Sequence, residues 1–219
     1  MIAALRAHWP EYVIEAICLG LFMISAGVFG TLLFAPASPA AHWLGDGAAH
    51  RALMGLAMGG TAVALIYSPL GRRSGAHMNP ATTLTFLRLG KVAPWDAVFY
   101  ILGQLAGGAA GVLLVTLALG PAFTGEPVRS VATRPGAGGV WLALGAEIAI
   151  TFGLMLTVLT VSNSRRWMTR TGLCAGALVA LYITFEAPVS GMSMNPARSF
   201  ASALPSGIWT AYWIYVVGP

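Results

Sequence analysis

Long lengths of this chain are almost free of charge. Positions 12–41 contain only Glu15, 52–71 and 97–125 contain no charged residue, 135–164 contain only Glu147, 171–197 only Glu186, and 199–219 is again uncharged. A helix needs roughly 20 predominantly apolar residues to cross the hydrocarbon of a bilayer. Five of these stretches are long enough to do so and the last is shorter. The expected span cores are 12–34, 52–68, 96–119, 140–161, 172–186 and 208–219. Only 9% of the residues are charged and 57% are hydrophobic, where a soluble domain carries about 25% charged residues. That is too little polar surface to cover a water-soluble core. The same composition excludes a disordered chain, which needs low hydrophobicity and high charge. The first span is too long, and too closely followed by others, to be a cleaved signal peptide.

The net charge of +5 invites a nucleic-acid reading, but no basic cluster with interleaved aromatics supports one, so no nucleic-acid partner is expected. The basic residues fall in the gaps between apolar stretches, where a membrane protein uses them to set its orientation. With the N-terminus inside, the inner segments hold Arg6, Arg72, Arg73, Arg88, Lys91, Arg165, Arg166 and Arg170, and the outer ones Arg51, Arg129, Arg134 and Arg198. Both termini are therefore expected in the cytoplasm, in a multi-pass protein of the cell membrane. Cys18 and Cys174 lie in apolar stretches and read as small buried hydrophobes, and the four histidines show no metal-site spacing. No residue pattern pairs a nucleophile with a base or calls for a cofactor, so catalysis is not expected. Gly103, Gly107 and Gly111 recur at four-residue spacing, a stripe that lets helix backbones approach closely in lipid.

Two segments are too short to cross and too apolar for ordinary loops. They share one core: Ser74-Gly75-Ala76-His77-Met78-Asn79-Pro80-Ala81, and Ser190-Gly191-Met192-Ser193-Met194-Asn195-Pro196-Ala197. Asn is a favoured helix N-cap and Pro a favoured first helical residue, so each copy starts a short helix. Eight or nine residues at 1.5 Å each reach roughly 13 Å, about half of a hydrocarbon core some 30 Å thick. With three spans per half, the two copies enter from opposite faces and meet near the midplane, as in an inverted repeat. Their positive dipole ends would then face each other, and irregular backbone at that depth must line a cavity or be buried in protein. The expected fold is an all-α membrane protein of six transmembrane helices plus two re-entrant half-helices. It forms one domain over 1–219, with a pore or a site at the midplane, divided into half-repeats at 1–119 and 120–219.

These motifs, SGAHMNPATT and MNPARSF, resemble those of the aquaporin and aquaglyceroporin family of major intrinsic proteins. Glu15, Tyr100 with Gln104, and Glu147 with Thr151-Phe152 match as well. The resemblance covers essentially the whole chain. It implies that Asn79 and Asn195 donate side-chain amides to a solute oxygen at the pore centre, each at the head of a Pro-Ala start (Pro80 and Ala81, Pro196 and Ala197). It makes Arg198 the cationic donor of an outer selectivity filter. Glu15 and Glu147 become acceptors that brace the re-entrant loops, with His77 a further brace near the inner mouth. Homotetramers, one pore per subunit, are also implied, as is passive flow that excludes ions and protons.

The remaining filter positions depart from the common classes of that family. The position fifteen residues before the arginine is Ile183, where strict water channels usually place histidine, and the loop position six before it is Met192. The span-two position is either Gly59, by counting back from Asn79, or Met54, by matching Met54-Gly55-Leu56 to a family Phe-Gly-Leu. Such a lining is apolar on most sides. Ser199 and Ala203 stand where water channels have them. Water is therefore the first expected solute, and glycerol or another small uncharged molecule the alternative. Relative to the family, the last helix is expected to be cut short at Pro219.

Overall fold

The computed structural model describes residues 1–43 and 47–219. Eight helices carry the architecture: α1 (Ile2–Phe34), α2 (Gly47–Tyr67), α3 (Pro80–Arg88), α4 (Pro94–Leu119), α5 (Gly139–Ser162), α6 (Thr171–Phe185), α7 (Pro196–Ser206) and α8 (Ile214–Val217). Short helical turns, Pro69–Ser74 and Ala187–Ser190, lead into the two motif segments. Among the described residues, five helices are long and apolar enough to cross a membrane: α1, α2, α4, α5 and the stretch Met168–Phe185 that ends in α6. The first begins ten residues earlier than the expected core and bends at His8 (φ −125°, ψ 15°), just before Pro10. Proline has no N–H to give and its ring displaces the carbonyl four residues back, which is where such a bend belongs.

Helix contacts are made by glycine. A Cβ on Gly103 would lie 2.6 Å from the Tyr12 carbonyl oxygen, one on Gly107 2.0 Å from that of Ala16, and one on Gly111 2.4 Å from that of Gly20. The expected stripe is thus the seam along which α4 lies on α1. A second seam joins α2 to α6, where a Cβ on Gly55 would come within 2.4 Å of the Ala180 carbonyl oxygen and one on Gly59 within 2.4 Å of that of Gly176. Lipid supplies no hydrophobic drive between helices, so dispersion at this close range holds them together.

The segment 208–219 is not a helix along its length. Only Ile214–Val217 is helical, and Ala211, with φ +50°, interrupts any helix running through it. Left-handed geometry at an alanine cannot propagate a right-handed helix. Ile214 and Tyr215 are nevertheless fully buried against Ala143 of α5. Both cysteines are free thiols; Cys18 is fully buried, whereas Cys174 is only half-buried.

Candidate functional site

Each motif folds the same way for the same local reasons. Asn79 and Asn195 have extended backbone and their Oδ1 atoms cap the helices that follow, accepting from Ala81 N at 2.9 Å, and from Ala197 N at 3.0 Å and Arg198 N at 3.1 Å. Pro80 and Pro196 occupy the first helical position, where a missing N–H costs nothing. Before each asparagine the chain turns through the left-handed region at Gly75, Ala76 and Met78, and again at Gly191, Met192 and Met194. A residue with a Cβ pays for that geometry, on the order of 1–3 kcal/mol, and it persists only where the surroundings impose it.

The surroundings are two fully buried glutamates. Glu15 accepts from Ser74 Oγ at 2.7 Å, His77 N at 3.0 Å, Met78 N at 2.6 Å and Gln104 Nε2 at 2.8 Å. Glu147 accepts from Ser190 Oγ at 2.6 Å, Ser193 N at 2.8 Å and Met194 N at 2.7 Å. The serines that open each motif also accept from the backbone two residues on, Ala76 N and Met192 N. Tyrosines close both arrangements: the hydroxyl of Tyr100 donates to the Ser74 carbonyl, and that of Tyr215 to the Ser190 carbonyl. A buried carboxylate is tolerated only with such a set of donors. His77 joins the first set through Nδ1, 3.1 Å from Thr83 Oγ1, with its ring stacked on Phe86.

The two capped ends face each other. Asn79 Nδ2 donates to the Met194 carbonyl at 2.7 Å, and Asn195 Nδ2 donates to the Met78 carbonyl at 2.7 Å. Each amide carries two N–H groups, so this exchange occupies one on each side and leaves one.

Beside this junction runs a cavity of about 480 Å³. His77, Phe86, Ser162 and Gly172 lie at one end, Asn79 and Asn195 at its middle, and Phe34, Arg51, Ile183, Met192 and Arg198 toward the other. Six of the nine methionines line it: Met54, Met58, Met78, Met155, Met192 and Met194. Of the two span-two alternatives, Met54 lines the cavity, whereas Gly59 does not. Gly59 faces away, into the α2–α6 seam, where its lack of a side chain is what lets α6 approach. Arg198 has a terminal nitrogen, Nη1, that is enclosed and without a hydrogen-bond partner. Ser199 is taken up in the loop, hydrogen-bonded to Ser193 and Thr133 at 2.6 Å each.

Several participants were not singled out from the sequence. Ser74 and Ser190 stand first in the repeated pattern, and that recurrence was the available signal. Met58 follows Met54, the expected filter candidate, at four-residue spacing and so shares its helix face. Arg51 reads as an ordinary orienting charge until α2 and α6 are packed; its Nε then donates to the Thr184 carbonyl at 3.1 Å and it lines the cavity. Glu186, one residue beyond α6, has both carboxylate oxygens enclosed without a hydrogen-bond partner.

The family model described as major intrinsic protein matches residues 6–219. Aquaporin NIP2-3 of Zea mays is 36% identical over 204 residues, covering 92% of this chain, and aquaporin NIP1-3 of Oryza sativa subsp. japonica is 40% identical over 162 residues, covering 73%. The chain spans 65% and 54% of the lengths of those two relatives. The X-ray structure of the aquaglyceroporin from Plasmodium falciparum shares the fold, with a TM-score of 0.78 at 20% identity, over 97% of this chain and 91% of that one.

Proposed function

The chain belongs to the major intrinsic protein family, and from that premise we propose that it is a passive transmembrane channel for small uncharged solutes, water and glycerol-sized molecules among them. The observation that carries the proposal is the pair of asparagine-capped helix ends meeting beside a cavity that Arg198 also lines. The remaining N–H of Asn79 and of Asn195 donates to a solute oxygen at the junction. The positive ends of α3 and α7 reinforce that orientation, so a water at the centre presents its oxygen to both amides and cannot relay a proton. A cation meets the same two helix ends and Arg198, and finds few oxygen ligands to replace its hydration shell.

The apolar lining favours the wider solute range over water alone. Met54, Ile183 and Met192 stand with Arg198 in this reading of the filter, and a wall of thioethers and one isoleucine charges little for an alkyl carbon to pass. The names of the similar proteins, aquaporins and an aquaglyceroporin, agree with that breadth. In the proposed arrangement α3 and α7 enter from opposite faces, both termini are cytoplasmic, and four copies assemble with a pore in each. Glu15 and Glu147 hold the loops and touch no solute, and His77 braces the first loop while lining one end of the cavity.

Stopped-flow light scattering on proteoliposomes tests the function, with an impermeant osmolyte and glycerol as parallel challenges and empty vesicles as the baseline. Fast shrinkage followed by fast glycerol-driven reswelling is expected. Fast shrinkage without reswelling would restrict the channel to water, and rates equal to those of empty vesicles would overturn the channel reading. Replacing Arg198 with alanine is expected to raise glycerol flux and admit a cation leak measurable with a pH-sensitive dye.

A further inference from the structure

The residues 163–170 that join α5 to α6 include Arg165, Arg166 and Arg170 and no acid. Two of these guanidinium groups are gathered on one indole. Cζ of Arg166 lies 6.0 Å from the centre of the Trp167 ring, and Cζ of Arg170 lies 4.9 Å from it. Trp167 and all three arginines are exposed. Among the described residues the ion pairs are His8–Asp96, Arg73–Glu11 and Arg129–Glu126, so none of the three arginines meets a carboxylate. Asp46, outside the described residues, is bonded to Gly47 at the start of α2, and it is the opposite end of that 21-residue helix that meets this loop. There the Tyr67 hydroxyl donates to the Thr169 carbonyl at 2.8 Å and accepts from Leu173 N at 3.3 Å, which fixes the loop in place.

Basic residues in a connection orient a membrane protein, but orientation needs only their charge. It does not call for two of them on one exposed ring. The loop runs from the end of α5 to the start of the membrane-crossing stretch Met168–Phe185. It therefore lies at the edge of the hydrocarbon, the depth at which indole rings and lipid headgroups meet. A guanidinium over a ring face keeps its N–H donors for another acceptor.

We propose that this loop is a binding site for the headgroup of an anionic phospholipid, its phosphodiester held by Arg166 and Arg170 beside Trp167. The guanidinium fork matches two phosphate oxygens with parallel hydrogen bonds. Exposed Met168 and Leu173 continue the site into apolar surface on which acyl chains lie, and a free phosphate has no use for that surface. The site stands independently of what the cavity carries.

The test is native mass spectrometry of the full-length chain in detergent, titrated with dioleoyl phosphatidylglycerol and, separately, with the zwitterionic dioleoyl phosphatidylcholine. The first phosphatidylglycerol is expected to bind at least about fivefold more tightly than the first phosphatidylcholine, and this preference is expected to disappear in Arg166→Gln/Arg170→Gln. Trp167→Leu keeps both charges and removes the ring that gathers them, so it serves as the second variant and is expected to lose part of the preference. Arg6→Gln/Arg72→Gln removes two other exposed charges and is expected to keep it. No preference in the unsubstituted chain, or a preference intact in both loop variants, would overturn the site. An equal loss in Arg6→Gln/Arg72→Gln would reduce it to diffuse attraction and overturn it as well. Displacement of the lipid by an equal concentration of its soluble headgroup, glycerophosphoglycerol, would overturn the phospholipid as its occupant.

Discussion

Single side chains in this protein earn their places by the donors and acceptors they satisfy. Glu147 is fully buried and is the common acceptor for one hydroxyl and two backbone N–H groups in left-handed loop geometry. Hydrogen bonds to a charged group contribute about 1.5–3 kcal/mol each. Glu147→Ala is therefore expected to cost about 3 kcal/mol or more, seen as a large fall in melting temperature in detergent, and to abolish channel flux. Glu147→Gln keeps one acceptor and should fall between the two.

At the scale of elements, the decisive contacts are backbone against backbone. A Cβ on Gly107 would sit 2.0 Å from the Ala16 carbonyl oxygen, so α1 and α4 must separate to admit even alanine. Overpacking of this kind costs about 1–3 kcal/mol, and Gly107→Ala should lower the melting temperature. Gly60 is the control, because a Cβ there meets nothing within 4 Å; Gly60→Ala should be neutral or stabilising by about 0.5–1 kcal/mol from helix propensity alone. If the two substitutions behave alike, the seam is not what holds these helices. The short helices follow a different rule. Each of α3 and α7 is opened by an asparagine cap, a proline at the first position and a glutamate-held loop behind it; α3 buries only Pro80, Ala81 and Thr83, whereas α7 buries Ala197, Ser199, Ala201, Ser202 and Ala203.

For the whole molecule, the proposed filter draws its residues from four separate parts of the chain. Met54 comes from α2, Ile183 from α6, Met192 from the second loop and Arg198 from α7. Replacing Ile183 with histidine adds a polar ring to an apolar wall. We expect glycerol flux to fall by about tenfold relative to water flux, equivalent to ~1.4 kcal/mol of added barrier. The ratio of the two stopped-flow rates measures this, and an unchanged ratio would remove Ile183 from the filter. Arg51 enters the same mouth only because α2 lies against α6.

Much of this molecule was legible before any coordinates. The charge-free lengths marked the helices able to cross a membrane, because hydrocarbon tolerates no unpaired backbone and few charges. The repeated SGxxMNPA marked both capped helices, because capping and proline at the first position are local effects that four or five neighbouring residues decide. The glycine spacing in α4 marked a helix seam for a similarly local reason. What could not be read was whatever depends on which helix faces which. Gly59 and Met54 were equivalent candidates by counting, and only the α2–α6 packing turns one into the seam and the other into the cavity. The end of the chain is as apolar as a span, yet Ala211 breaks it into turns that bury Ile214 and Tyr215 on α5. Local chemistry is written in consecutive residues, whereas the facing of helices is set by contacts between residues far apart in the chain, such as Ala16 with Gly107 or Gly59 with Gly176, and those exist only once the chain has folded.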